Sequence, residues 1–172
     1  MKKKLALLSF ILIAAVTAGQ AQEQASAVLD KAYAQAKKEN KKVLLVFHAS
    51  WCGWCKKMDA NMATDATKKL FSDNYVITHL TVQESPKNKG LENPGGEEVL
   101  KKFGGTSAGL PFWVILDASG NLLADSFMEN KENSGCPSAP EEVADFTAKL
   151  KKTSKLNDKQ LAVITETFVL KK

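Results

Sequence analysis

The chain has 172 residues, of which 44% are apolar and 25% are charged, and its formal net charge is +5. This composition is ordinary for a folded protein and argues against wholesale disorder, a collagen-like repeat and a polytopic membrane protein. The sequence contains no arginine. It therefore lacks the side chain that holds phosphates and guanine edges through paired hydrogen bonds, and nucleic-acid binding is not expected.

The first 21 residues have the pattern of a secretory signal peptide. The charged stretch Lys2–Lys4 precedes the apolar run Leu5–Val16, and small residues follow at Gly19 and Ala21. The apolar run is shorter than the roughly 20 residues that span a bilayer, so an uncleaved anchor is the less favoured alternative. We expect cleavage after Ala21. The mature protein is then exported to the bacterial periplasm or the extracellular space and has no membrane span.

The mature chain, expected to form a single domain over 22–172, mixes helix and strand patterns. Apolar residues recur at helical spacing in Ala25–Asn40, and Val43–Phe47 is a continuous apolar run typical of a buried strand. Further helices are predicted from Cys52 to about Met62, at Ala66–Phe71, at Glu97–Phe103, from Pro140 to about Lys152 and from Asp158. Further strands are predicted at Tyr75–Val82, Phe112–Asp117 and Leu122–Phe127, with a hairpin turn at 119–121. The segments predicted as loops are Ser85–Gly96, Gly104–Gly109 and Glu129–Ala139.

The most informative segment is Cys52-Gly53-Trp54-Cys55, which follows the first predicted strand and opens a predicted helix. The free N–H groups and the dipole of a helix N-terminus stabilise negative charge, so a cysteine placed there loses its proton more readily. Two intervening residues let the second sulfur reach the first. We therefore predict that Cys52 is the exposed attacking thiol and that Cys55, one turn deeper, resolves a mixed disulfide.

Other interpretations of the motif are weaker. Covalent haem attachment is excluded because Lys56 follows Cys55 where a histidine is required. A zinc site needs four ligands, and the chain has no second Cys-x-x-Cys and no histidine pair. The candidate zinc ligands are Cys52, Cys55 and Cys136 with His48 or His79. A purely structural disulfide across two residues gains little chain entropy. Redox exchange without a bound cofactor or metal is favoured.

The segment Trp51 to Lys56, coming after an apolar strand, resembles the active site of the thioredoxin superfamily. A second mark is Gly109-Leu110-Pro111 before the predicted strand Phe112–Asp117. The resemblance covers about 25–152 and implies an α/β fold with a central mixed sheet flanked by helices. To that fold this chain adds an N-terminal helix and a C-terminal helical extension at about 156–170. The resemblance also implies that Pro111 is cis and faces the cysteines, and that the backbone of Leu110 pairs with an extended substrate segment.

Three positions depart from thioredoxins. Val46 stands where thioredoxins carry a buried acid that handles the proton of the resolving cysteine, and His48 stands where thioredoxin has an aromatic residue. His48 either tunes the thiolate or is a hydrogen-bonded strand histidine. Gly53-Trp54 matches neither the Gly-Pro of thioredoxins nor the Gly-His of protein disulfide isomerases. Without that histidine, we favour reduction over oxidation or isomerisation.

The resemblance implies an exported thiol–disulfide oxidoreductase whose substrates are protein or peptide disulfides. Trp51 and Trp54 are predicted to flank the attacking sulfur and to offer an apolar surface to them, with Gly53 and Lys56 as further neighbours. A reductase outside the cytosol needs electrons, so a membrane thiol reductase is an implied partner. A non-catalytic protein- or metal-binding module on the same fold is the alternative of a different class. Cys136, in a polar loop, is either a regulatory thiol or a buried, inert one.

Overall fold

The computed structural model describes residues 22–170, and the predicted signal peptide Met1–Ala21 lies outside the described residues. The helices and strands follow one another in the order α1 (Ala25–Glu39), β1 (Lys42–His48), α2 (Gly53–Met62), α3 (Lys68–Asn74), β2 (Tyr75–Thr81), α4 (Gly96–Lys102), β3 (Phe112–Leu116), β4 (Leu122–Asp125), α5 (Pro140–Thr153) and α6 (Asp158–Phe168). Two segments predicted as loops each contain a short 3-10 helix, at Pro86–Leu91 and Gly105–Ser107. Pro86 suits the first helical position, because a helix leaves the N–H of that position without a partner and proline has none.

The strands form one mixed sheet in the order β2-β1-β3-β4. β1 and β2 are parallel, whereas β3 is antiparallel to both β1 and β4. The parallel pair is connected through α2 and α3, since a parallel connection needs a crossover. The turn between β3 and β4 contains Gly120 at a φ of +83°, a conformation that glycine adopts without steric cost. The predicted α/β class with a mixed sheet and flanking helices is confirmed.

Helices cover both faces of the sheet because the strand side chains alternate. On β1, Leu44 and Val46 point to the cluster built with α2, α3, α5 and α6, and Val43, Leu45 and Phe47 point to the cluster built with α1 and α4. The last helix belongs to the first cluster, where Phe168 of α6 lies 5.2 Å from Phe146 of α5, measured between ring centroids. Complete burial of one such side chain stabilises a fold by about 1.5–3 kcal/mol.

The sheet topology brings two distant segments to the same edge. Phe47, near the end of β1, pairs with Phe112 at the start of β3. Because the two strands run antiparallel, the residues that follow β1 and the residues that precede β3 meet beyond this pair. The cysteine motif and the Leu110-Pro111 segment therefore lie next to each other. Within residues 22–170, no helix has the length and the apolar character needed to cross a bilayer.

Candidate active site

Cys52 and Cys55 are joined by a disulfide with an S–S distance of 1.96 Å. Cys52 is the N-cap residue of α2, and its sulfur accepts a hydrogen bond of 3.1 Å from the backbone N–H of Cys55. The remaining free N–H groups of the first turn, together with the helix dipole, favour negative charge at this position. The structure thus places the pair where a thiolate on Cys52 is stabilised once the disulfide is reduced.

The sulfurs are less accessible than the sequence indicates. Cys52 is 3% exposed and Cys55 is 2% exposed, so the prediction of an exposed Cys52 is wrong for this disulfide form. The reason is packing, since the two cysteines form one buried cluster with Ala49, and Leu110 packs against this cluster. The exposed surface beside the pair belongs instead to Trp51 and Trp54, whose exposed fractions are 58% and 51%. Both indoles therefore expose apolar surface next to the cysteine motif in the sequence.

The peptide bond between Leu110 and Pro111 is cis, the conformation that the resemblance implies. Asn133, from the polar loop after β4, holds this segment. Its Nδ2 lies 3.0 Å from the carbonyl oxygen of Ala108, 3.2 Å from that of Gly109 and 3.1 Å from that of Pro111. Sequence reasoning missed Asn133, because the turn composition around it does not reveal a partner more than 20 residues away.

A groove of about 270 Å³ separates Trp54 from the polar loop. Its walls include Leu110, Pro111, Cys136 and Glu142. Cys136 is a free thiol that is 6% exposed. Burial raises the pKa of Cys136 to about 11; Lys57 opposes this rise, while Glu142 and Asp59 add to it. The thiol therefore stays protonated at neutral pH, which favours the interpretation of an inert cysteine.

Two histidines lie between the sheet and α2. His48 shares a hydrogen bond of 3.1 Å with the hydroxyl of Thr81, and His79 shares one of 2.9 Å with the carboxylate of Asp59. Burial, and secondarily His79, lowers the pKa of His48, against the opposing effects of Asp59 and Glu84. His48 is thus a neutral, hydrogen-bonded strand histidine at pH 7. Val46, where the resemblance to thioredoxins implies a buried acid, is fully buried and pairs with His79 in the sheet register.

A buried carboxylate contacts the segment in front of Cys52. Glu84, just after β2, is 4% exposed and accepts hydrogen bonds from the backbone N–H of Ser50 at 2.5 Å and from its hydroxyl at 2.8 Å. The indole N–H of Trp51 donates to the carbonyl oxygen of Gln83 at 2.9 Å. The sequence offers no signal for these contacts, since Glu84 stands between a predicted strand and a predicted loop with no motif around it.

The structure also shows how the candidate zinc ligands are arranged. Within 22–170, no group of three or more His, Cys, Asp and Glu side chains is arranged to hold a metal ion. Cys52 and Cys55 form a disulfide with each other, and His79 forms a hydrogen bond with Asp59. The ligand set considered from the sequence is therefore not assembled in this structure. Lys56 is exposed, as expected for a solvated residue of α2.

A family model described as thioredoxin-like matches residues 23–118. Among solved structures, the chain is similar to the disulphide isomerase from Xylella fastidiosa Temecula1, at 20% identity over 67% of this chain and 80% of that chain, with a TM-score of 0.48. It is similar to the DsbH oxidoreductase at 19% identity over 88% and 95% of the two chains, with a TM-score of 0.47. A third similar structure is the oxidised C-terminal domain of DsbD from Neisseria meningitidis, at 23% identity over 61% and 84%, with a TM-score of 0.39.

All three TM-scores are below 0.5, so the family assignment rests on the family match alone. This match covers more than half of the chain and includes the cysteine pair and Pro111. The pair is bridged, opens a helix and lies at the sheet edge next to the cis proline. We conclude that the chain belongs to the thioredoxin-like family and is a thiol–disulfide oxidoreductase of the thioredoxin type.

Proposed function

We propose that this protein is exported and reduces disulfides in proteins or peptides, with Cys52 as the attacking thiol and Cys55 as the resolving thiol. The observation that carries the proposal is the position of the Cys52–Cys55 disulfide at the N-terminus of α2, beside the cis Leu110–Pro111 bond. A helix N-terminus favours the thiolate that attacks. The neighbouring edge of the sheet supplies backbone for binding the substrate chain.

The reaction starts from the reduced pair. The Cys52 thiolate attacks one sulfur of the substrate disulfide, which forms a Cys52–substrate bond, breaks the substrate bond and releases the first substrate thiolate. Cys55 then loses its proton to water and attacks the sulfur of Cys52. This step forms the Cys52–Cys55 bond, breaks the mixed disulfide and releases the second substrate thiolate. Both released thiolates take protons from water, and the substrate has gained two electrons.

The two electrons must be returned before the next cycle. Outside the cytosol no glutathione or thioredoxin system keeps thiols reduced. We infer that the donor is the dithiol of a membrane-embedded thiol reductase. It reduces the Cys52–Cys55 disulfide by the same exchange chemistry and becomes oxidised itself.

The residues between the two cysteines support the proposed reductive direction. Gly53 and Trp54 bring no positive charge to the Cys52 sulfur, and the hydrogen bond that this sulfur accepts comes from the backbone of Cys55. Strongly oxidising members of this class stabilise the thiolate further, which favours their reduced form. A less stabilised thiolate on Cys52 makes the pair a better reductant.

The proposed substrate site is the groove between Trp54 and the polar loop. The backbone of Leu110 is available for pairing with an extended segment of the substrate, with Pro111 beside it. Trp51 and Trp54 offer apolar surface to the substrate residues around its disulfide. Such a site recognises main chain and apolar side chains and suits unfolded or extended polypeptides.

Export is proposed from the signal-peptide pattern of Met1–Ala21. We propose cleavage after Ala21 and a mature protein that forms a single thioredoxin-like domain, with α6 as its C-terminal extension. The protein then works in the periplasm or outside the cell. Disulfides form and persist in both compartments.

The test of the proposed direction is the reduction potential of the Cys52–Cys55 pair, measured by equilibration with glutathione and mass-resolved counting of thiols. We expect a value near about −270 mV, that of thioredoxin. A value between about −180 and −120 mV would contradict reduction and indicate an isomerase or an oxidase. A pair that never exchanges would contradict the enzyme and indicate a non-catalytic module.

Replacement of Asn133 by alanine is expected to raise KM for a protein disulfide while leaving kcat and the reduction potential close to those of the wild type. Its side-chain amide holds three carbonyl groups of the segment 108–111. Each hydrogen bond stabilises by about 0.5–1.5 kcal/mol, so we expect KM to rise about three- to tenfold.

The matched control is Asn130→Ala in the same loop, because the Asn130 amide bonds with Glu132 and not with the segment 108–111. It donates to the exposed carboxylate of Glu132 at 2.8 Å and accepts the backbone N–H of Glu132 at 2.9 Å. Insulin reduction at varied substrate concentration gives KM and kcat for both variants. An unchanged KM in Asn133→Ala, or an equal rise in Asn130→Ala, would show that Asn133 does not position the substrate segment.

A further inference from the structure

Glu84 is a buried acidic side chain whose two carboxylate oxygens both bind the segment that leads into the cysteine motif. Oε1 accepts the backbone N–H of Ser50 at 2.5 Å, and Oε2 accepts the Ser50 hydroxyl at 2.8 Å. Only 4% of Glu84 is exposed. A buried carboxylate is costly unless it is paired or hydrogen-bonded, and here the bonds go to a residue two positions before Cys52.

Two further hydrogen bonds hold the segment that Glu84 contacts. The N–H of Cys52 donates to the carbonyl oxygen of Ala49 at 3.0 Å, which closes a turn around Ser50 and Trp51. The indole N–H of Trp51 donates to the carbonyl oxygen of Gln83 at 2.9 Å. The neighbouring residues Gln83 and Glu84 thus fasten both central residues of this turn, and the turn sets where Cys52 starts α2.

Gln83 and Glu84 are themselves held by hydrogen bonds to residues that follow them in the chain. The backbone N–H of Gln83 donates to Glu97 at 2.9 Å, and that of Glu84 donates to Glu92 at 2.7 Å. The side-chain amide of Gln83 donates to the carbonyl oxygen of Thr106 at 3.0 Å. Gln83 has a φ of +53°, a conformation that is uncommon for residues other than glycine. These bonds keep the Glu84 carboxylate directed at Ser50.

The carboxylate is ionised at neutral pH. Burial raises the pKa of Glu84, but the hydrogen bonds from the Ser50 N–H, the Ser50 hydroxyl and Asn88 outweigh it and hold the pKa below its ordinary value, with a smaller contribution from His48. His48 does not neutralise it, because burial lowers the pKa of that imidazole. Lys89 donates to Glu92 at 2.6 Å, and this hydrogen bond together with the charges of Glu92, Glu97 and Glu84 raises the pKa of Lys89.

The Glu84 carboxylate therefore holds a negative charge at Ser50, two residues before Cys52. The Cα atoms of Ser50 and Cys52 are separated by at most about 7 Å, the reach of two residues. Salt screens an interaction between buried groups much less than one between exposed groups. A nearby negative charge disfavours a thiolate, so it opposes the effect of the N-terminus of α2.

We propose that Glu84 is a positioning residue for the redox reaction, which fixes the Ser50–Trp51 turn in front of Cys52 and makes the cysteine pair more reducing. The reduced form carries the Cys52 thiolate and the disulfide form does not. A charge that destabilises the thiolate therefore shifts the equilibrium toward the disulfide. This inference rests on the proposed function for its direction, since a more strongly reducing pair serves a reductase.

The test uses Glu84→Gln, which removes the charge while its amide can still bond the N–H and the hydroxyl of Ser50. We expect the pKa of Cys52 to fall, read from thiolate absorbance of the reduced protein. We also expect the equilibrium constant for reduction by glutathione to rise about three- to tenfold, equivalent to about 15–30 mV. The matched control is Glu98→Gln, which makes the same charge change at an exposed position of α4 and should leave both quantities unchanged.

A second variant separates the effect of the Glu84 charge from the effect of its hydrogen bonds to Ser50. Glu84→Ala removes the bonds to Ser50 as well, and we expect the same change in potential together with slower insulin reduction than in Glu84→Gln. A potential in Glu84→Gln equal to that of Glu98→Gln, or a Glu84→Gln protein that does not fold, would overturn the proposal. These outcomes are distinct from failure of the proposed function, because the equilibrium with glutathione is measured on the pair itself, whether or not the wild type reduces insulin.

Discussion

Replacement of Cys55 by serine is expected to convert the protein into a trap that accumulates mixed disulfides on Cys52. In the proposed mechanism Cys55 supplies the thiol that attacks the Cys52–substrate bond, and in the structure its sulfur is bonded directly to that of Cys52. Serine does not form a disulfide, so the intermediate is not resolved. Non-reducing gels of cells that express Cys55→Ser should show substrate adducts that disappear on reduction.

The companion variant Cys52→Ser should lose insulin reduction to the uncatalysed level, because the attacking sulfur is absent. The double variant Cys55→Ser/Cys136→Ser controls for the third cysteine, Cys136, which lines the proposed substrate groove. Adducts that persist in the double variant are held by Cys52. An empty trap, or a Cys52→Ser protein that still reduces insulin, would contradict the assignment of these two thiols.

Replacement of Gly105 by alanine is expected to destabilise the fold by about 1–3 kcal/mol, the usual cost of overpacking a buried site. A Cβ atom added there would lie 2.5 Å from Cδ1 of Leu100 and 2.6 Å from Cδ1 of Phe112, and both of these side chains are fully buried. Phe112 directly follows Pro111, so its displacement also reaches the proposed substrate segment. We expect insulin reduction to fall as well.

The measurement is thermal unfolding by circular dichroism, with Gly90→Ala as the control. A Cβ at Gly90 meets no atom within 4 Å, and Gly90 is not among the glycines with a positive φ. The control should stay within about 0.5 kcal/mol of the wild type. A Gly105→Ala protein as stable as Gly90→Ala would show that Leu100 and Phe112 move aside at little cost.

The proposed active site consists of three segments that are distant along the chain. The cysteine motif follows β1, Leu110 and Pro111 precede β3, and the loop with Asn133 follows β4. The sheet register brings the first two together, since Phe47 pairs with Phe112. Asn133 then attaches the third segment to the second through carbonyl groups. In the proposed mechanism, substrate binding and thiol chemistry therefore depend on the same sheet edge.

Local patterns in the sequence were sufficient to predict the helices, the strands and the cysteine pair. Continuous apolar runs marked β1 and β3, because strands covered on both faces bury every side chain. The spacing of Cys52 and Cys55 and their place between a strand and a helix depend on neighbouring residues alone. The ends of the elements were less certain, and β4 stops at Asp125, before the predicted Phe127.

The tertiary structure decided the contacts that no local pattern contains. Leu110 packs against the cluster that contains Cys52, Asn133 binds the Leu110–Pro111 segment, and Glu84 binds Ser50 in front of the motif. Each of these contacts joins residues more than 20 positions apart. Their partners are set by the pairing of strands and the packing of loops. The helical or strand spacing of apolar residues indicates only which face of one element is buried. It therefore cannot identify the residue on another element that this face contacts.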